Sequence, residues 1–343
     1  MAFSFFSNFS GYGSHSFTYK AADKLDLKLE VLAPRETDTD PTPVLLHYHG
    51  GWLIIGDRHS VQPHWLINAC IRRRWIFVSP DYRLMPESTA HASVDDAVDA
   101  YEWVLKRLAT ELDITIGPVV LSGSSAGAYL ALTVASITPT KPRALFLLYG
   151  MLDPADERYT TTGTNVLGLP PIEAGPILAQ YASSCNENDG VRSGYPWPND
   201  LATDPRFALI QAMHMEALIP DRLTGIVGLS KAIATRGLET SIPASAQRLF
   251  PKTFADLSEF PPTMIFHGKN DNVVPCRLSQ STAETLKDAG VNITTEFPDD
   301  AHHAFDVHLG DVDLEDALAE ERLTPGIQGL RNVIEFLDGV AGI

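Results

Sequence analysis

Residues 119–132 read VVLSGSSAGAYLAL, a β-branched apolar run that passes through a Gly-Ser turn into an alanine-rich helical run. A buried strand linked so tightly to a buried helix is the repeating unit of a parallel sheet. The rest of the chain keeps that rhythm. The short apolar runs 43–50 and 74–82 end in turn residues, as buried parallel strands do, and HSVQPHWLINACIRR between them has helical spacing. Apolar residues at 94, 97, 98, 101, 104, 105 and 108 predict an amphipathic helix over 93–112 with Ser93 as N-cap. Further strands are expected at 118–122, 143–150, 261–268 and 291–298, and helices at 126–136, 277–289 and near 325–339. The alternating segment 25–34 predicts a half-exposed edge strand ending at Pro34. The expected fold is α/β, a doubly wound, mainly parallel sheet.

Residues 151–260 break the rhythm with Pro, Gly and polar stretches around short helices such as 203–218. An excursion of that length between two sheet strands predicts a helical cap or lid over one face. Tyr195, Trp197, Met213 and Met215 within it are expected to line a pocket or pack internally. The expected division is a core of 20–150 and 261–343, with 1–19 and 151–260 as the cap or lid region.

A formal net charge of −17 speaks against nucleic acid, which is bound through clustered Lys and Arg. The basic run Arg72-Arg73-Arg74 reads as a solvated helix end. Cys70, Cys185 and Cys276 are odd in number and form no CxxC pair, so neither a disulfide framework nor a zinc site is expected. The aromatic N-terminus lacks the basic and long apolar regions of a signal peptide, and no apolar run is long enough to span a bilayer. A cytoplasmic protein needing no cofactor and no metal is the expectation.

The chemistry concentrates in four loops. Gly123-Ser124-Ser125-Ala126-Gly127 fits G-x-S-x-G between strand and helix, where flanking glycines let the turn lift the Ser125 hydroxyl above the sheet. HYHGGWLIIGD (47–57) follows a strand and offers backbone N–H groups at Gly50, Gly51 and Trp52 to a developing oxyanion. A serine needs a base and the base an orienting acid. HGKNDNVVP (267–275) puts Asp271 just past one strand, and PDDAHHAF (298–305) puts His302 and His303 just past the next. The chain order Ser, Asp, His is that of α/β-hydrolases. Asp153, after an earlier strand, is the alternative acid, and His47-x-His49 suits loop structure better than a metal.

These stretches, with SPDYRLMPE (79–87), VDDAVDAYEWV (94–104), GSSAGA (123–128) and FPPTMIFHGKND (260–271), resemble in order the motifs of the hormone-sensitive-lipase-like family of α/β-hydrolases. The likeness spans roughly 20–150 and 255–340. It implies the α/β-hydrolase fold and a serine hydrolase of carboxylic esters working through an acyl-enzyme, with a lactone or thioester of a bulky metabolite among the substrates it admits. It also implies nucleophile Ser125, acid Asp271, base His303 and oxyanion donors from Gly50, Gly51, Trp52 and Ala126. Two departures stand out. Trp52 occupies the place of a third glycine, and Ser124 that of an acidic residue, so both are expected to touch substrate. The H-G-F pattern is met as His303-Ala304-Phe305. An arylformamidase-type amide hydrolase, which uses H-G-G-x-W, and a non-catalytic small-molecule receptor on the same scaffold are the alternatives. The expected partner is a small-molecule ester, with no nucleic acid, no membrane span and a homodimer left open.

Overall fold

The seven expected strands are all present in the computed structural model, which describes residues 9–36, 40–181, 190–316 and 323–342, and an eighth precedes them. The strands are β1 (Tyr12–Ala22), β2 (Leu25–Pro34), β3 (Thr42–Tyr48), β4 (Ile76–Pro80), β5 (Ile116–Ser124), β6 (Ala144–Leu148), β7 (Thr263–Phe266) and β8 (Ile293–Glu296). They form one sheet in the order β1-β2-β4-β3-β5-β6-β7-β8. The pairs β1–β2 and β2–β4 are antiparallel and all others parallel.

Three expectations need correction. The segment 25–34 is not the edge of the sheet; β1 is, and pairing on both sides buries Leu27, Leu29 and Val31 completely. Residues 12–19 accordingly belong to the sheet rather than to a cap region, and Tyr12 is tied down through its hydroxyl to the Trp75 carbonyl at 3.1 Å. Residues 1–8 lie outside the described part. Finally, Ser93 does not cap its helix. The helix starts at Ala90 after an extended Thr89, because alanines on either side of His91 already favour it. The Ser93 hydroxyl instead donates to the Arg83 carbonyl at 2.6 Å. Beyond Trp103 the helix widens into a π turn at Val104–Leu108 before its last turn, Ala109–Leu112.

Side chains alternate across each strand and feed two apolar layers. Val44, Leu46, Val78, Leu145 and Leu147 face one layer; Leu45, Phe77, Val120 and Phe146 face the other. The second layer is closed by helices His64–Arg72 and Pro325–Ala341 through Trp65, Leu66, Leu330, Val333 and Leu337. The first takes helices Ala90–Trp103 and Ala126–Ile137 and, beyond them, the segment between β6 and β7, which contributes Phe207, Leu209, Ile210, Met213 and Leu223. The described part of the insertion thus packs from one side of the sheet.

Arg72 and Arg73 are not merely solvated. Arg72 pairs with Asp313 (2.6 Å) and Asp316 (3.0 Å), and Arg73 with Glu315 (2.6 Å) and Asp338 (2.8 Å). Cys70 and Cys276 are unpaired and buried, and Cys185 lies outside the described residues. Among the described residues no helix is long and apolar enough to cross a membrane.

Candidate active site

Ser125 stands between β5 and helix Ala126–Ile137 with φ 55° and ψ −116°, a conformation that costs an L-residue about 1–3 kcal/mol. The turn is held on both sides. The Ser125 amide donates to Leu148 and its carbonyl accepts from Met151, at 2.9 and 3.1 Å. The two motif glycines are needed for close approach rather than for their own dihedrals. A Cβ on Gly123 would sit 2.2 Å from the Gly127 carbonyl oxygen, and one on Gly127 would sit 2.0 Å from that of Tyr48. Only with both absent can helix, β5 and β3 converge on the serine.

The loop after β3 comes up beside it. A Cβ on Gly50 would lie 3.2 Å from that of Ser125. Gly51, Trp52 and Leu53 follow with φ of 110°, 58° and 60°, and Ile54 and Ile55 both return their amides to the Gly51 carbonyl at 2.9 Å. Among the described residues the amides of Gly51 and Trp52 have no acceptor. Trp52, in the place of a third glycine, has a left-handed backbone that favours glycine, and so has Ala304 after His303, with φ 56°. The Trp52 ring is buried and meets Phe207 of helix Pro205–Met215 edge-on at 6.0 Å. Beneath the loop His49 stacks on Tyr82, with Nδ1 2.8 Å from the Gly50 carbonyl. His47 lies between the hydroxyls of Ser122 (3.0 Å) and Ser124 (3.2 Å). Burial lowers both imidazoles, His47 to about 3 with the neighbouring His49 adding to the effect, and His49 to about 4 against the opposing Gly50 carbonyl and Asp57. Both are structural neutral rings.

Asp271 and His303 come together from the loops after β7 and β8. Nδ1 of His303 is 2.6 Å from Oδ2 of Asp271, and Oδ1 accepts the amides of Val273 and Val274 at 2.8 Å each. Oδ2 also faces Nε2 of His267 at 3.1 Å, whose Nδ1 lies 2.7 Å from the Ser279 hydroxyl. Burial alone would raise the Asp271 carboxyl, but the adjoining His303 charge and the hydrogen bonds from His267 and His303 hold it well below the ordinary carboxylate range. Asp153 is elsewhere, paired with Lys252 at 2.8 Å. His302 is exposed at the rim of the same cavity, with Nδ1 on the His303 carbonyl at 2.9 Å and no contact with Asp271 among the described residues.

Ser125, His303, Gly50, Gly51, Trp52 and Ser124 line one cavity of about 710 Å³, and Ala126 directly follows Ser125 at the helix start. The walls are mainly apolar: Val61, Tyr149, Leu167, Trp197, Leu201, Val273 and Val307. Of the four inserted residues singled out from sequence, Trp197 alone is in this wall. Tyr195 binds Asp204 through its hydroxyl at 2.7 Å, Met213 is buried in the core, and the Met215 sulfur receives the Ile172 amide. Two site residues were not singled out from the sequence. Tyr149 meets the His303 ring edge-on at 4.8 Å and donates to buried Asp306 at 2.8 Å, and His267 reaches Asp271 only once the loop has folded.

A family model described as alpha/beta hydrolase fold matches residues 45–215. The non-reducing polyketide synthase pkbA of Emericella nidulans is 26% identical over 85% of this chain, which spans only 13% of the synthase. A Phoma protein named "Probable carboxylesterase M8" is 25% identical, with 82% of this chain and 85% of that protein covered. In three dimensions, Est2, an esterase of Thermogutta terrifontis, superposes with a TM-score of 0.58 at 21% identity, covering 96% of this chain and 92% of that one.

Proposed function

We propose that this chain, whose fold is that of the α/β-hydrolases, hydrolyses carboxylic esters through Ser125, His303 and Asp271. The observation that carries the reading is the His303–Asp271 contact of 2.6 Å on the wall of the cavity that Ser125 also lines. With Nδ1 committed to the carboxylate, Nε2 of His303 is the nitrogen free to take the Ser125 proton. The alkoxide adds to the acyl carbon, and the new oxyanion is received by the amides of Gly51, Trp52 and Ala126, with Gly50 closing that side. Protonated Nε2 then gives its proton to the departing alcohol, leaving an acyl-Ser125. Water, deprotonated by the same nitrogen, releases the acid.

The cavity wall favours a bulky, flat acyl group. Trp52, Trp197 and Tyr149 supply broad aromatic faces, and the volume suits a drug-sized ligand. Because the likeness to a polyketide synthase extends over most of this chain, a thioester of a polyketide acyl chain is the second reading, handled by the same residues. The segment 151–260, which brings Leu167, Trp197 and Leu201 to the cavity, acts as its cap, and the remaining sheet and helices as the catalytic core. The test is a panel of p-nitrophenyl esters of acetate, hexanoate, benzoate and naphthoate, beside a naphthoyl thioester. Turnover favouring the aryl acyl groups supports the reading; no turnover of any member overturns it.

A further inference from the structure

Besides Phe207, which meets Trp52, a buried and charged side chain of the inserted segment reaches the glycine loop. Arg206, at the second position of helix Pro205–Met215, is 3% exposed. Its Nη1 donates to the carbonyls of Ile54 (2.7 Å) and Met85 (2.9 Å), and its Nη2 to the Glu87 carboxylate. The guanidinium lies over the Tyr195 ring, 4.9 Å from its centroid. Tyr195 in turn exchanges both backbone bonds with Gly56, at 2.7 and 2.9 Å.

The placement of Arg206 is built in. Asp204 caps the helix, accepting the amides of Arg206 and Phe207 at 2.9 Å with Oδ1 while Oδ2 takes the Tyr195 hydroxyl. The fork is thereby fixed at its root and across its face. Its target is the turn that presents the oxyanion amides. Ile54, whose carbonyl it holds, closes the Gly51–Ile54 turn with its own amide, and the Met85 amide secures the Leu53 carbonyl at 2.7 Å. A planar donor with several N–H groups can hold two carbonyls and a carboxylate together; an ammonium, a point charge on a flexible stem, cannot hold all three in that geometry.

We propose that Arg206 is a positioning residue for the oxyanion hole: it locks the Gly51–Ile55 turn from the inserted segment, so that the Gly51 and Trp52 amides are set before substrate arrives. The proposal rests on the ester-hydrolase reading above. It goes further by making the insertion part of the catalytic geometry as well as of the cavity wall.

The experiment compares wild type, Arg206→Lys and Arg206→Ala on a p-nitrophenyl ester that wild type turns over, and measures inhibition by an aryl trifluoromethyl ketone, whose hemiketal oxyanion occupies the hole. Wild-type turnover is the entry condition, so its failure counts against the ester-hydrolase reading and is seen first. Loss of one oxyanion donor costs about 10²–10³ in kcat; displacement of the turn should cost Arg206→Lys about tenfold to a hundredfold, with KM changed less than threefold. Ketone affinity should fall by the same factor as kcat/KM, and guanidinium ion should restore part of the Arg206→Ala rate. A merely structural role would lower the folded fraction while leaving the ratio of ketone affinity to KM untouched. That result, or full kcat in Arg206→Lys, overturns the proposal. Should both variants fail to fold, hydrogen exchange on wild type decides: amides of Ile54 and Ile55 exchanging as fast as an open loop overturn it, and protection matching that of β3 supports it.

Discussion

His267 reaches Asp271 across 3.1 Å, on the same carboxylate oxygen that Nδ1 of His303 approaches at 2.6 Å. One oxygen thus serves two imidazoles, while the other oxygen is saturated by two backbone amides. His267 Nε2 also lies 2.9 Å from the Val274 carbonyl, so this ring and the two amides together hold the carboxylate toward His303.

Removing the inner imidazole should loosen that arrangement without abolishing it. His267→Asn is expected to lower kcat by about tenfold with little change in KM, far short of the roughly 10⁴ expected of Asp271→Asn, which leaves the base unoriented. Steady-state kinetics of the two variants on one ester provide the check. Equal losses would mean that His267 is as necessary as the acid itself.

The two adjacent histidines should differ sharply. His303→Ala is expected to remove nearly all activity, because of these two adjacent rings it is the one that contacts Asp271. His302 is exposed, and its ring rests near Phe305 and His308. His302→Ala should cost less than threefold, and pH–rate profiles of the two variants would separate them. An inactive His302 variant would contradict the assignment.

Trp52 and Ala304 both hold backbone conformations that favour glycine. Replacing Trp52 by Gly should therefore give a more stable protein than replacing it by Ala, by about 1 kcal/mol, the reverse of the usual ranking. Ala304→Gly should gain a similar amount. Both substitutions at Trp52 also open the wall against Phe207, so kcat/KM should shift toward bulkier acyl groups. Thermal melts and the ester panel test these together; Trp52→Ala melting above Trp52→Gly would refute the backbone argument.

Acid should destabilise the fold through its neutral buried histidines. Burial lowers His47 to about 3, His49 to about 4 and His214, beside Arg158, to about 3, against 6.5 for an unperturbed ring. The unfolded chain takes protons near 6.5 that the folded chain refuses. The stability is complete above that pH and declines as pH falls toward 4, by about 1.4 kcal/mol per pH unit for each ring. Both His214 nitrogens lack a partner among the described residues. His214→Leu should therefore gain on wild type in melting temperature as pH drops from 7 to 4.5. Parallel curves would exclude His214 as a contributor.

The loops that carry the candidate site were legible in the sequence because each follows an apolar strand, and strand ends in a parallel sheet converge on one edge. Ser125, Asp271 and His303 could be named for that reason. What escaped depends on contacts between distant segments. Pairing of β1 with β2 is written in no local pattern, since Tyr12–Ala22 mixes aromatic, basic and hydroxyl residues. Arg206 reads as an ordinary surface helix residue until Asp204 caps the helix and turns it onto Ile54. His267 carries the i, i+4 spacing of a helix pair although its link to Asp271 is made by a loop. The inserted segment is the least legible part, because short helices broken by Pro and Gly show no sustained period.

The most direct measurement of the central claim is the site of covalent labelling. An aryl phosphonate that mimics the tetrahedral intermediate should add once per chain, and mass spectrometry should locate it on Ser125, with hydrolysis lost in step with labelling. Ser125→Ala should fold with an unchanged circular dichroism spectrum, take no label and lose several orders of magnitude in rate, while Ser124→Ala, whose hydroxyl is turned to His47, should label and retain most activity. A phosphonate found on another residue, or a Ser125→Ala protein that still hydrolyses esters at the wild-type rate, would contradict the assignment of Ser125 as nucleophile.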